Sequence, residues 1–452
     1  MENNYFFYHD CLYSLCVANI NILAPLSMTH KRNINIFYYA NNLITNDILI
    51  NRFRRFKLLR CLSLGKNRIS NISYLLDLNW LHISHDNKLN QIVTNTNLTY
   101  LSSENVLDIN FDNFHRLKVL NIIGGKYVLS SLNNLIELTC LKAKITESLY
   151  MLTKLTNFET DDYYSDFTKL VNLRQVSLSN NGVVNSCRNS LQITKLELFN
   201  NVGSARKCFI CQLTNLKKLK INQTLLYGFE FYTSITSLNL FLRGLNIKFY
   251  LDHLYKFTKL RNLSLNFPII SFVQHYVDNY YNTPNITMLN RWKNLRSAYR
   301  TMNLSELRKL KLNSCGDNIN IINSPNLTSL VMYSSNAIEC CVDITKYVHL
   351  IRLQLDNAKK INTLDMLINL KELNITHAEN LRNITKLTKL ERLEFKNCGI
   401  NSIKSLINLT MLRTFSLHRL GNFAHLHRLK EIYHTFEKPK LIQMPRNAKF
   451  YL

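Results

Sequence analysis

The sequence predicts a right-handed α/β solenoid with a parallel β-sheet on its concave face, capped ends and one insertion. Two observations predict this fold class. A leucine pattern returns along most of the 452 residues, and the residues that build flexible linkers are scarce, with only 10 Gly and 6 Pro. A solenoid is one structure of any length, so the chain needs no division into the two or three domains that its length alone suggests.

The repeat is clearest at residues 59–67, LRCLSLGKN, with leucine at the first, fourth and sixth places and asparagine at the ninth. The template returns from Leu173 and from Ile193. Degenerate copies bring the number to about 17 units, spaced about 18 to 25 residues apart. Because side chains alternate along a strand, the fourth and sixth places point inward and the fifth points outward. The ninth-place asparagine is expected to hydrogen-bond backbone groups of the following turn.

The unit at residues 389–409, KLERLEFKNCGINSIKSLINL, resembles the short leucine-rich repeats of internalins and of the phosphatase-1 regulatory subunit type. Members of those families are binding proteins, so the resemblance implies a protein-interaction scaffold. The abundance of Asn, Ile, Lys and Tyr, which AT-rich codons encode, is similar to the style of repeat proteins of large DNA viruses such as mimivirus. That similarity implies a viral protein that acts in the host cytoplasm.

The ends and one interruption depart from the template. The N-terminal aromatic clusters suit a cover for the first repeat. Near the C-terminus, apolar residues recur at helical spacing: Phe423, Leu426, Leu429, Ile432, Tyr433 and Phe436. The predicted organisation is an N-terminal cap region (1–58), the first part of the array (59–267), an insertion (268–306), the second part of the array (307–420), and a C-terminal cap helix with a tail (421–452).

The insertion is rich in aromatic and basic residues, and either a helical hairpin or two divergent repeats would fit it. Tyr276 and Tyr280 share one helical face, while Trp292 and Arg296 belong to a second segment. Trp, Tyr and Arg are enriched at binding hot spots, so these four residues are candidate partner contacts. The alternative is that the aromatic side chains only seal the insertion onto the solenoid.

The formal net charge of +26 favours an acidic protein or nucleic acid as partner. Codon bias offers an alternative source of lysine, because asparagine is equally over-represented, with roughly 60 residues. The repeat register assigns many cations to the second and third places, where they predict a basic edge that could bind nucleic acid or another acidic partner. The candidate residues there are Lys217, Lys218, Arg308 and Lys309.

The fifth and seventh places of the repeat differ from this edge. Across the whole chain these two places are polar, and acids such as Glu159, Glu197 and Asp356 slightly outnumber bases there. A phosphate backbone running along it is therefore disfavoured. The sequence alone keeps both a protein-interaction scaffold and nucleic-acid binding open.

No pattern predicts chemistry. There is no glycine-rich phosphate loop and no Ser/His/Asp arrangement with family context, so we predict a non-enzymatic protein with no cofactor and no metal. The 11 scattered cysteines favour free thiols in a reducing compartment. The N-terminus lacks the features of a signal peptide and no stretch predicts a transmembrane helix, so an intracellular monomer with no membrane partner is expected.

Overall fold

The fold is described here from a computed structural model. It describes residues 14–18, 36–40, 59–64, 77–83, 96–104, 111–145, 149–161, 170–179, 192–199, 213–222, 233–241, 254–266, 302–313, 322–333, 344–358, 361, 363–378, 384, 386–396, 414–416, 431–433 and 449–451. The chain divides into two compact units. Unit 1 comprises Met1–Leu216 with Leu226–Gly228, and unit 2 comprises Lys217–Leu225 with Phe229–Leu452.

Unit 1 contains a parallel sheet of ten strands, each hydrogen-bonded to the next one in the repeat series. Two further short strands, β7 and β9, pair with each other outside it. The strands are β1 (Ser14–Ala18), β2 (Ile36–Ala40), β3 (Cys61–Leu64), β4 (Trp80–Ile83), β5 (Tyr100–Glu104), β6 (Val119–Ile123), β7 (Lys126–Tyr127), β8 (Glu137–Leu141), β9 (Lys144–Ile145), β10 (Asn157–Thr160), β11 (Gln175–Leu178) and β12 (Lys195–Leu198).

Unit 2 repeats this plan with eleven parallel strands in one sheet and a separate pair, β16 with β18. The strands are β13 (Lys218–Asn222), β14 (Ser237–Phe241), β15 (Asn262–Asn266), β16 (Met302–Asn303), β17 (Lys309–Asn313), β18 (Ile322–Asn323), β19 (Ser329–Tyr333), β20 (Arg352–Leu355), β21 (Glu372–Thr376), β22 (Arg392–Lys396), β23 (Thr414–Ser416), β24 (Glu431–Tyr433) and β25 (Lys449–Tyr451).

The inward and outward places of the repeat are confirmed. In β3, Leu62 and Leu64 are fully buried, whereas Cys61 and Ser63 are half-buried. The same alternation holds in the other strands whose side chains are described, because one face of each strand packs into the core. Ninth-place asparagines such as Asn67 lie outside the described residues.

Tight turns, rather than α-helices, return the described chain from one strand to the next. In the turn before each strand, buried apolar residues recur every three residues up to the first-place leucine. The backbone amide of one bonds to the backbone carbonyl of the residue three places earlier, as in Leu152 to Leu149 and Leu155 to Leu152. Only two 3-10 helices occur in the part of the chain that the structure describes, Leu149–Met151 and Leu254–Lys256. A repeat of about 20 residues leaves too little chain for a multi-turn α-helix, which rises only 1.5 Å per residue.

Polar side chains link successive repeats on the turn side. The asparagine that precedes a first-place leucine donates its Nδ2–H to a backbone carbonyl of the previous repeat, and the threonine that follows the leucine donates its Oγ1–H in the same direction. The asparagine bonds supply a donor to turn carbonyls, whereas the threonine hydroxyls bond to carbonyls that also accept backbone amides. The donors are Asn134, Asn172, Asn326, Asn369, Thr99, Thr156, Thr194, Thr236 and Thr328.

Both ends differ from expectation. β1 and β2 pair in parallel with each other, and β2 continues to β3, so the sheet already includes residues of the predicted cap region. At the other end, β24 and β25 extend the sheet beyond residue 420. The predicted cap helix is therefore wrong at Glu431–Tyr433, where backbone pairing with the preceding repeat overrides the helical spacing of the side chains.

The predicted insertion leaves the sheet and returns to it. β15 and β17 are direct neighbours although 47 residues separate Asn262 from Lys309. Met302–Asn303 pairs with Ile322–Asn323 one repeat later, and Leu304 is buried like the equivalent Ser324. Residues 302–306 therefore already follow the regular repeat, and the predicted boundary at 306 lies too far along the chain. Residues 267–301 lie outside the described residues.

Candidate binding surfaces on the two sheets

Three rows of outward side chains cross each sheet, because equivalent places of successive repeats lie on adjacent strands about 4.8 Å apart. We call the second and third places the edge lane, the fifth place the central lane, and the seventh place the far lane. The repeat skeleton does not need any particular residue at these places, since the buried fourth and sixth places make the core. Partner-specific contacts would therefore come from the lanes.

An aromatic pair stands in the edge lane of unit 1. The rings of Trp80 in β4 and Tyr100 in β5 are stacked, with centroids 4.8 Å apart and planes 13° apart. Both side chains are half-buried. The Tyr100 hydroxyl accepts a hydrogen bond from Asn121 Nδ2 at 3.0 Å, and beside the pair His82 Nδ1 lies 3.0 Å from Ser102 Oγ. These contacts hold the exposed ring edges in fixed positions. We call Trp80 and Tyr100 the aromatic patch.

Carboxylates follow the aromatic patch along the sheet of unit 1. A shallow depression of about 250 Å³ lies across β8 to β12, and its lining includes Glu137, Glu159 and Glu197. Asn157 Nδ2 donates to Glu137 Oε1 at 3.0 Å, and Lys195 Nζ lies 2.8 Å from Glu197 Oε1. The outward places of β5 to β12 also carry Glu104 and Asp161, which gives five acids against three cations, Lys118, Arg174 and Lys195, so the net charge of this face favours a positively charged partner.

The first sheet strands of unit 2 carry the opposite charge. Among the described residues of 213–333, nine are Lys or Arg and one, Glu306, is acidic. Seven of the nine lie in the edge and central lanes of β13, β15 and β17, and we call them the basic face. Most of these side chains are exposed. The basic face comprises Lys217, Lys218, Lys220, Arg261, Arg308, Lys309 and Lys311.

Further along unit 2 the charges are paired. Arg352 Nε lies 2.6 Å from Glu372 Oε2, and Lys371 Nζ lies 3.1 Å from Glu391 Oε1. The hydrogen bond from Glu372 raises the pKa of the Arg352 guanidinium above its ordinary value, which keeps the pair charged. The predicted basic edge is therefore not uniform. At β20 to β22 the cations Arg352 and Lys371 form ion pairs with neighbouring carboxylates.

Four of the eight residues predicted to contact a partner are described. Lys217, Lys218, Arg308 and Lys309 are all exposed and lie in the edge lane, which brings them together at one end of the unit 2 sheet. The other four lie outside the described residues: Tyr276, Tyr280, Trp292 and Arg296.

Sequence reasoning missed the aromatic patch. Trp80 and Tyr100 occupy the same place of two consecutive repeats, so the register alone predicts that they are neighbours across two strands. Their aromatic character at one shared place of consecutive repeats is the signal that identifies the pair.

The described thiols show no sign of activation. Neither Cys61 nor Cys140 forms a disulfide, and burial raises the pKa of the Cys61 thiol above its ordinary value. A reactive cysteine needs the opposite shift, because the thiolate is the nucleophile. In the described ranges, no three His, Cys, Asp or Glu residues converge as a metal site would require. No helix there has the length and apolar content needed to cross a bilayer.

The comparisons with known proteins identify the fold. The chain is similar to TLR13 in the TLR13–ssRNA13 complex, at 17% identity over 89% of this chain and 78% of that chain, with a TM-score of 0.50. It is also similar to a leucine-rich repeat protein of Leptospira interrogans, at 20% identity over 86% of this chain and 91% of that chain, with a TM-score of 0.37. No protein-family model and no curated protein matches the sequence.

A third similar structure is the internalin InlF of Listeria monocytogenes, at 17% identity over 87% of this chain and 90% of that chain, with a TM-score of 0.30. The strands, the burial pattern and the similarity to TLR13 together define a leucine-rich repeat solenoid. At such identities the similarity concerns the fold alone. The particular repeat subtype and the viral origin implied by the sequence receive no support from these comparisons and stay predictions.

Proposed function

We propose that this protein is a non-enzymatic recognition scaffold that holds a protein partner on the sheet face of unit 1. The observation that carries the proposal is the stacked pair Trp80–Tyr100, half-buried on a face where the fold requires no aromatic residue. At the equivalent place the next strands have Val119, Glu137 and Asn157.

The chemistry of this face favours a protein surface with an apolar anchor and basic residues beside it. Trp and Tyr dominate the binding energy of protein interfaces because they bury large area at low entropic cost. The carboxylates at Glu137, Glu159 and Glu197 would complement Lys or Arg of the partner and exclude acidic competitors. The fold is suited to this role, since a solenoid presents an extended row of side chains.

The insertion predicted from the sequence is a second location for protein contacts. Its candidate residues Tyr276, Tyr280, Trp292 and Arg296 keep the composition of an interface, with two Tyr, one Trp and one Arg. We propose the insertion as a docking element that acts alongside the aromatic patch. In this proposal the protein is an intracellular monomer that needs no cofactor.

The test is an affinity purification of the tagged full-length chain from its native cells, with and without nuclease, read by quantitative mass spectrometry. We expect a discrete protein that survives nuclease with the unaltered chain and is lost with Trp80→Ala/Tyr100→Ala. Tyr150→Ala is the matched control, because Tyr150 is 45% exposed and lies in a turn away from the sheet. Retention of every protein by the double variant would overturn the assignment to the aromatic patch.

A parallel variant, Tyr276→Ala/Trp292→Ala, separates the two locations. Loss of the same protein with this variant but not with Trp80→Ala/Tyr100→Ala would place the contact in the insertion. Circular dichroism of each purified variant shows whether the fold survives, so that a lost partner reports on the surface and not on unfolding.

A further inference from the structure

We propose that the basic face of unit 2 binds single-stranded nucleic acid, with phosphates along the edge lane and bases against the far lane. This inference is independent of the protein contacts proposed for unit 1. It rests on the placement of the cations, on the near absence of acids beside them in the described residues, and on aromatic and amide side chains that flank them.

The edge lane places cations on three of four consecutive sheet strands. The backbone amide of Thr236 bonds to the carbonyl of Lys217, that of Arg261 to Thr236, and that of Arg308 to Arg261, each at 2.9 Å. The second-place residues therefore form an unbroken row across β13, β14, β15 and β17. At about 4.8 Å per strand, this row covers about 14 Å, a length suited to a few nucleotides of an extended strand.

Among the described residues, no carboxylate pairs with the cations of this row, in contrast to Arg352 and Lys371 further along unit 2. No ion pair within 4.0 Å joins Lys217, Lys218, Arg261, Arg308 or Lys309 to a described acid, and the single described acid of the region, Glu306, lies in a turn. Mutual repulsion of clustered cations is relieved when an anionic polymer replaces their diffuse counterions, and release of those ions drives binding. The arrangement thus favours a ligand with regularly repeated negative charge.

The far lane offers surfaces for bases. Phe241 of β14 and Tyr333 of β19 flank Asn266 and Asn313 in one row. Tyr333 is 37% exposed, and Lys311 Nζ lies 5.2 Å from its ring centroid. Aromatic rings stack on unpaired bases, so a base on Tyr333 would take the place of Lys311 over the ring, and the ammonium could then bind a neighbouring phosphate.

This combination selects among polyanions. A duplex hides its base faces, so it could use the edge lane but not Phe241 and Tyr333. An acidic peptide supplies carboxylates but no planar bases that stack on a ring, so its affinity would not depend on stacking against Tyr333. The three lanes together therefore fit a single strand better than either alternative.

The experiment measures fluorescence anisotropy of a labelled 20-nucleotide oligouridine with the full-length chain at several salt concentrations. The variant Lys218→Glu/Lys309→Glu is compared with Lys386→Glu/Lys389→Glu, which makes the same change in charge at exposed turn positions of unit 2. We expect the first to bind at least about tenfold more weakly, with a salt slope reduced by about 1.4, since each phosphate contact of a single strand contributes about 0.7. The control should stay within about twofold of the unaltered chain.

The variant Tyr333→Ala tests the base contact separately. We expect about tenfold weaker oligouridine binding with an unchanged salt slope, because a stacking contact is lost and no phosphate contact. Equal binding of a 20-base-pair duplex or of polyglutamate would overturn the assignment to a single strand. An equal loss in the Lys386/Lys389 control would overturn the assignment to the basic face, because it would show that total charge alone matters.

Discussion

Two stretches of sheet, β5 to β12 in unit 1 and β13, β14, β15 and β17 in unit 2, carry opposite net charge on the same skeleton. The outward places of the first stretch carry five acids (Glu104, Glu137, Glu159, Asp161 and Glu197) and three cations (Lys118, Arg174 and Lys195), whereas those of the second carry seven cations and no acid among the described residues. The fourth and sixth places are buried in both regions, mostly by apolar side chains. The comparison shows that the inner and outer places of this repeat vary independently, so the binding properties belong to short stretches of the lanes and not to the fold as a whole.

The contrast between the two stretches of sheet is tested most directly by replacing carboxylates of β8 and β10 with lysine. We expect Glu137→Lys/Glu159→Lys to raise the affinity for oligouridine about tenfold at low salt and to steepen the salt slope by about 1.4, since two new phosphate contacts become available. Anisotropy titrations at several salt concentrations measure both quantities.

The control for that experiment is Asp77→Lys/Asp112→Lys, which changes the charge by the same amount at exposed turn positions. If it raised oligouridine affinity as much as the sheet-face variant, the position of the charge would not matter, and the contrast between the two faces would lose its functional meaning.

A smaller effect is expected within the aromatic patch. A double-mutant cycle of Trp80→Ala, Tyr100→Ala and the combined variant should give a coupling of about 0.5–1.5 kcal/mol in the free energy of unfolding, the usual worth of a stacked pair. Chemical denaturation measures it. A coupling near zero would mean that the rings do not stack in solution, and a preformed aromatic anchor would be excluded.

The sequence predicted the skeleton well because the repeat signal is local and strong. Buried places such as Leu62 and Leu64, and the outward orientation of Ser63, follow from strand alternation alone. The charge pattern of the lanes was harder to read. Over the whole chain, acidic and basic side chains in the central lane are nearly equal in number. Their separation becomes visible only when Glu159 is assigned to unit 1 and Lys220 to unit 2.

The ends were predicted poorly for a physical reason. Ile432 and Tyr433 belong to a series of apolar residues at helical spacing. An open sheet edge, however, offers unpaired backbone groups to the next segment, and pairing of Glu431–Tyr433 as a strand satisfies them. The abundant asparagine poses the converse problem. Codon bias is an alternative source of it, yet in the sequence Asn326-Leu327-Thr328 the structure gives both Asn326 and Thr328 hydrogen bonds to carbonyls of the preceding repeat.

These asparagines supply a prediction shared by both units. Replacing Asn134 with Ala should lower the free energy of unfolding by about 1 kcal/mol, because the carbonyl of His115 loses its donor at 2.7 Å. Asn326→Ala should act similarly in unit 2 through Ser305. Asn133→Ala is the control, since Asn133 is exposed beside Asn134. Equal effects of the two neighbouring substitutions in urea unfolding would contradict a structural role for the asparagine row.

The smallest expected effect concerns the residue that follows the far lane. Gly124, Lys142, Asn357 and His377 occupy this place and have φ of 73°, 52°, 56° and 52°. Glycine adopts this left-handed conformation without a steric penalty, whereas Lys142 does not. Lys142→Gly should therefore raise the free energy of unfolding by about 0.5 kcal/mol, after the greater chain entropy of glycine offsets part of the gain.

Lys144→Gly provides the matched control, because Lys144 lies in the short strand β9 and has no positive φ. There glycine only adds entropy to the unfolded chain, and the substitution should lower the free energy of unfolding by up to about 1 kcal/mol. Urea unfolding of the two variants should thus give changes of opposite sign. If both variants were destabilised, the Lys142 side chain would contribute more to the free energy of unfolding than its positive φ costs. The turn at Lys142 would then not be a strained counterpart of the turn at Gly124 one repeat earlier.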